Sequence, residues 1–185
     1  MASIMEKTTL VISGKILTTV AGILAIAVLV SSLGAQSVLA EEDFPVADKV
    51  LVEKGARKLH LIKDGKQIRT FEIALGPYPV GDKSREGDQK TPEGIYRLDD
   101  RNPDSDFFLS IHISYPNSGD YYEAHANGQD PGGQIMIHGQ PNQPKYSAAF
   151  YDKEDWTNGC IAVSNSDMID IWLMTPDNIP IEIRP

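Results

Sequence analysis

The sequence is short of the residues that staple small exported folds or grip polyanions. It has one cysteine, Cys160, in 185 residues, so no internal disulfide forms and the fold rests on its apolar core. Basic residues are outnumbered, 17 Lys and Arg against 26 Asp and Glu. Glu6, Lys7 and Lys15 are the charged residues among the first 40, which leaves 15 basic and 25 acidic beyond them, a net charge of −10. That sign argues against nucleic acid and anionic lipid as partners, since both want a basic face. Beyond residue 40 there is no internal repeat, no low-complexity tract and no long apolar run.

The one long apolar run covers residues 16–30. Lys7 and Lys15 precede it, and Val38-Leu39-Ala40 comes after it, ahead of Glu41-Glu42. A charged start, an apolar centre of about 15 residues and a small-x-small end describe an export signal. Residues 1–40 are therefore expected to be a signal peptide, or an N-terminal membrane anchor if uncleaved. Residues 41–49 are expected as a linker and residues 50–185 as one domain, exported to the periplasm or cell envelope. The membrane is a partner only through that first segment.

The chain beyond residue 49 is rich in β signals. Residues 58–63 and 66–75 flank Asp64-Gly65, a two-residue hairpin turn of the strongest kind. Residues 50–53, 95–98, 107–114, 135–137, 160–163 and 179–183 read as further strands. Residues 76–94 form a long loop rich in Gly, Pro and charge, and residues 101–106 read as a polar turn. Ser164-Asn165-Ser166-Asp167 offers caps for a helix through Met174, with Met168, Ile171, Trp172 and Leu173 as its core stripe. Seven to nine strands and a few short helices make a mainly β fold.

The chemistry concentrates in residues 134–165, QIMIHGQPNQPKYSAAFYDKEDWTNGCIAVSN. His138 ends a short apolar strand and precedes Gly139; Cys160 comes directly after the turn Trp156-Thr157-Asn158-Gly159. A lone cysteine downstream of a well-placed histidine is the minimal kit for a thiolate nucleophile and an imidazole base. A bland reading stands beside it, since most free cysteines are buried and inert. The glycine and polar residues before Cys160 weigh against burial. Residues 140–156, with Tyr146, Phe150, Tyr151 and Trp156, would form a lid or one wall of the cleft between base and nucleophile.

His138-Gly139 and then Thr157-Asn158-Gly159-Cys160-Ile161 resemble the signature of the YkuD-type L,D-transpeptidases, cysteine enzymes of peptidoglycan. The commoner members carry a His where Asn158 falls and an Arg where Ala162 falls. The departures resemble the YafK-like branch, which is also similar across GDKSREGDQKTPEGIYRL, LSIHISYPN and GCIAVSNSDMIDIW. The 22-residue step from His138 to Cys160 is longer than is common in the wider family. The resemblance covers residues 50–185 and implies a β-sandwich of mixed sheets with a few short helices. It also implies a catalytic Cys160 and His138, oxyanion donors at Gly159 and Cys160, and the Gly139 carbonyl orienting the imidazole. Asn158, Thr157, Tyr115 and His112 are candidate substrate contacts. Peptidoglycan stem peptides are the implied substrate and no cofactor is needed. Cys160 would become an acyl-thioester, resolved by a stem amine, by the lysine of an envelope lipoprotein, or by water.

Two readings from other classes compete. A zinc peptidase using His60, His112, His125 and His138 lacks any familiar ligand spacing. A silent envelope-binding module would share the fold while tolerating loss of His138 or Cys160.

Overall fold

The computed structural model describes residues 45–185. The signal or anchor expected at residues 1–40, and the first part of the expected linker, lie outside the described residues. Among the described residues no helix is long and apolar enough to cross a membrane.

Among the described residues there are eight strands and three short helices. Strands β1 (Lys49–Glu53), β2 (Lys58–Lys63) and β3 (Lys66–Glu72) form an antiparallel ribbon. Asp64 and Gly65 both take positive φ, 50° and 71°, which is the turn a tightly twisted hairpin needs. Strand β4 (Gly94–Ser105) and β5 (Phe108–Ile113) make a second hairpin, and helix α1 (Ser118–Ala126) comes next. Then come β6 (Met136–His138), α2 (Ala148–Lys153), β7 (Ile161–Ala162), α3 (Asn165–Met174) and β8 (Pro180–Arg184).

The strand order is β3-β2-β1-β8-β4-β5-β6-β7. β1–β8 and β6–β7 are parallel and the other pairs antiparallel, so the sheet is mixed. β4 joins its two halves. Gly94–Arg97 pairs with β8, while residues 98–105 pair with β5. A two-way bridge between Ala74 and Ala162, with both N···O distances 2.9 Å, ties the end of the first ribbon to β7. Alternate residues of β1, β2 and β8 (Val50, Val52, Leu59, Leu61, Ile181, Ile183) point inward and meet Met168, Ile171 and Met174 of α3 in one core. The expected mainly β fold is what forms.

Two expectations need correction. Residues 101–106 are not a turn but the second half of β4. Its exposed polar face and Pro103 imitate a turn, and bulges at Leu98/Asp100 and Asn102/Ser105 absorb the irregularity. The chain reverses instead at Asp106-Phe107, and Phe108 takes φ 68°. Second, Leu173 is 54% exposed and Met174 fills its place in the α3 stripe, because 168, 171 and 174 share a helical face. Residues 118–127, which read as a short helix or an irregular segment, form a helix over 118–126. Only Ala124 of α1 is buried, and its start is held by a capping box in which Asn117 and Asp120 satisfy each other's backbone N–H groups.

Candidate active site

Residues 76–94 carry little regular structure and yet are fixed. The buried Lys54 ammonium donates to the carbonyls of Gly81 and Thr91 and to Glu93 (2.8, 2.9 and 2.8 Å). A second buried ammonium, Lys83, donates to Asp88 and to the Arg85 carbonyl, 2.9 Å each. Asp88 also accepts the N–H groups of Ser84, Arg85 and Lys90. Burial works to raise its pKa, but the Lys83 ammonium and these N–H groups outweigh it and hold the carboxyl below its ordinary range. Neither lysine stands out in the sequence, where a loop lysine reads as solvated by default.

This fixed loop is the floor under the turn that carries Cys160. The Thr91 hydroxyl donates to the Gly159 carbonyl at 2.8 Å. The Thr157 hydroxyl closes the turn from inside, donating to the Cys160 carbonyl (2.8 Å) and accepting from the Gly159 N–H (3.2 Å). Gly159 sits at φ 117°, and a Cβ there would lie 2.5 Å from the Lys90 carbonyl oxygen. Only glycine fits. On the other side, Asp155 takes the Leu75 N–H (2.9 Å) and a forked Arg57 guanidinium (2.6–3.2 Å), while the Thr157 N–H donates to the Leu75 carbonyl (2.9 Å).

His138 arrives from the neighbouring strand. Its register partner on β6–β7 is Ala162, two residues past Cys160. The ring is buried, and its Nδ1 lies 2.7 Å from the Gly139 carbonyl oxygen. A carbonyl only accepts, so Nδ1 carries the proton and Nε2 is left with the free lone pair. Burial lowers the pKa to about 4, partly opposed by that hydrogen bond. The Cys160 thiol, pointing to the Gln134 carbonyl at 3.5 Å, is pushed up by burial; the Met136 N–H and the Lys83 charge pull it part of the way back. Both shifts favour a neutral resting pair, in which His138 takes the thiol proton during attack, over a standing ion pair.

His138 and Cys160 line one cavity of about 480 Å³, with Phe107, Ser110, Met136 and Trp156 among its walls. A second cavity, about 430 Å³, opens on the other flank of Cys160 between Lys83, Glu86, Gln89 and residues 132–135. Asn158 is exposed and lines both. Thr157 lines the first, but its hydroxyl is spent within the turn. The Cys160 N–H makes no hydrogen bond among the described residues, whereas that of Gly159 is engaged by Thr157.

His112 and Tyr115, expected as substrate contacts, line neither cavity. Tyr115 is 3% exposed, turned into the core with its hydroxyl donating to the Pro131 carbonyl at 3.0 Å. His112 pairs with Asp99 at 2.7 Å. The four histidines occupy separate elements and each has its own partner: Thr70 and Glu53 for His60, the Tyr121 carbonyl for His125. Among the described residues no three His, Cys, Asp or Glu groups converge as ligands would.

The buried neutral His138 makes stability depend on pH. In the unfolded chain the ring binds its proton near pH 6.5, in the folded protein only near pH 4. Stability from the neutral ring is thus complete above pH 6.5, falls as the pH drops towards 4, and levels off below. At 1.36 kcal/mol per unit the loss is about 3 kcal/mol. Urea midpoints measured from pH 7 to 4 should show it as a difference between the parent and His138→Gln, which lacks the titrating ring.

The sequence profile of the YkuD family, the L,D-transpeptidase catalytic domain, matches residues 47–183. YafK of Escherichia coli (strain K12), provisionally named an L,D-transpeptidase, is 35% identical over 101 residues, 51% of this chain and 38% of that protein. Two solved structures overlap it over a longer stretch. The helical cell shape determining protein Pgp2 of Campylobacter jejuni aligns at TM-score 0.58 and 29% identity, covering 74% of this chain and 46% of that one. Bd1075 of Bdellovibrio bacteriovorus aligns at 0.52 and 25%, covering 78% and 50%. The chain spans half or less of each of these relatives.

Proposed function

The chain belongs to the L,D-transpeptidase catalytic domain family, and from that premise we propose that it is an exported acyltransferase acting on peptidoglycan stem peptides through Cys160. One observation carries the reading: an available thiol and a buried imidazole with its free lone pair on Nε2 line the same cavity.

The neutral resting pair dictates the chemistry. Sγ attacks the carbonyl of the L-centre that bears a terminal D-alanine, while Nε2 takes the thiol proton. The Cys160 N–H donates to the oxyanion, a contact the ground-state carbonyl does not make as well. When the intermediate collapses, the C–N bond breaks and the imidazolium gives its proton to the departing D-alanine amine. The acyl-thioester remains. An acceptor amine then attacks it, loses a proton to Nε2, and Sγ leaves to regain that proton. The exposed Asn158, which lines both cavities, would hold a substrate amide.

The acceptor divides the outcomes: a second stem peptide yields a cross-link, a lipoprotein lysine an anchored protein, and water an L,D-carboxypeptidase or amidase. Intact-mass measurement after incubation with a tetrapeptide muropeptide tests the proposal. A rise equal to the acyl tripeptide portion, mapped to Cys160, is expected, and the released products identify the acceptor. Folded, reduced protein that gains no mass and forms no product would move the silent module to the front.

A further inference from the structure

The base does not stand alone in the cavity. Three rings meet there: Phe107 and His138 with centroids 4.7 Å apart, His138 and Trp156 at 5.6 Å, Phe107 and Trp156 at 5.9 Å. Phe107 contributes twice. Its carbonyl accepts the Gly139 N–H at 3.0 Å, and the Gly139 carbonyl in turn takes the His138 Nδ1–H. Trp156 is only half-buried, yet its position is over-determined. Asp155 and Thr157, on either side of it, are both bonded to the backbone of Leu75. Its indole N–H donates to the Tyr151 carbonyl at 3.2 Å, and its ring packs edge-on against Tyr151 at 5.1 Å. The Tyr151 hydroxyl accepts the N–H groups of Lys145 and Tyr146, so the tyrosine gathers residues 145–156 around the indole.

A side chain held that firmly at a cavity wall has a use beyond filling space. We infer that Trp156, together with Phe107, is a positioning residue for the base: the two rings fix the plane of the His138 imidazole and shield it from water, so that Nε2 faces the thiol. The inference rests on the proposed role of His138 and adds the residues that set its behaviour. Neither aromatic ring brings charge, so the clamp acts through desolvation and packing. The titratable groups lining the same cavity are Cys160 and Asp106, while the packed elements otherwise present Ser110, Met136, Thr157 and Asn158. Lys83 stands behind Cys160 in the second cavity. With the thiol uncharged, water exclusion dominates the ring's titration.

The decisive experiment is an NMR titration of the His138 ring in the full chain carrying Cys160→Ala, which reads the clamp without turnover. The midpoint should lie near pH 4 in that protein. Adding Trp156→Leu, which opens the wall to water, should raise it by at least about one unit. Trp156→Phe keeps a ring there and should leave it within about half that. Phe107→Leu should move it the same way as Trp156→Leu and serves if the latter does not fold. In the Cys160 protein, Trp156→Leu should lower kcat about 10- to 100-fold with KM within about threefold, and the acid limb should rise with the ring's midpoint. A midpoint that does not move in a folded Trp156→Leu or Phe107→Leu protein overturns the inference, and so does a kcat loss without that movement. If the parent enzyme turns over no stem peptide, the reaction proposed above fails, while the titration still judges the clamp.

Discussion

Cys160→Ala is expected to abolish acylation and to lower turnover of a tetrapeptide stem by at least about 10⁴-fold, because no covalent intermediate can form. The fold should be almost untouched. Cys160 is half-buried, and its thiol has a long contact, 3.5 Å to the Gln134 carbonyl, besides the Met136 N–H. Replacing it should change stability by less than about 1 kcal/mol, as is usual where no core is emptied. Loss of activity with an unchanged melting curve would therefore assign the chemistry to the sulfur itself. Cys160→Ser makes a useful companion. It keeps a nucleophilic atom in place, but a hydroxyl is far harder to deprotonate than a thiol, and a His138 that titrates near pH 4 is a weak base for it. A Cys160→Ala protein retaining a tenth of the parent activity would show that another group attacks.

Gly159→Ala should be severely damaging for the addition of a single methyl group. At φ 117° an L-residue lies outside its permitted regions, at a cost of about 1–3 kcal/mol. The new Cβ would also sit 2.5 Å from the Lys90 carbonyl oxygen, a backbone atom held by the Lys54 and Lys83 networks and unable to swing aside. The total is near 3–5 kcal/mol, which for a domain of this size lowers Tm by about 10 °C. If the turn relaxes instead of unfolding, the displacement falls on Cys160 and its N–H. A shift of about 1 Å at the nucleophile costs about 100-fold in rate. Calorimetry and acylation rates on the same sample separate the two outcomes. A Gly159→Ala protein equal to the parent in both would mean that the turn is not held by the loop beneath it.

The sequence alone determined the fold class, the export-like first segment as an expectation, and the His138–Cys160 pair as candidates. These rest on short-range signals. Asp64-Gly65 fixes a hairpin by its own backbone preference, alternating apolar residues declare strands such as β1, and Ser164 declares the start of α3. The lone Cys160 after a glycine turn stands out because nothing else in the chain competes with it.

Where only tertiary structure decided, the cause was a contact or a burial that no local pattern declares. Polar Arg101–Asp106 looks like a turn until β5 pairs with it. His112 reads as facing a cleft because a strand shows its faces but not what covers each, and Asp99 took it; Tyr115, a candidate through the resemblance, was taken by the core. Lys54 and Lys83 became internal anchors because carbonyls and carboxylates 27–39 residues away for Lys54, and 2–5 for Lys83, converge on them. Trp156 became a neighbour of the imidazole because two bonds to Leu75, about 80 residues upstream, brought its turn beneath β6. Local propensity names the reacting atoms, but desolvation and orientation, which decide whether a thiol and an imidazole are neutral and face one another, are properties of the packed surroundings.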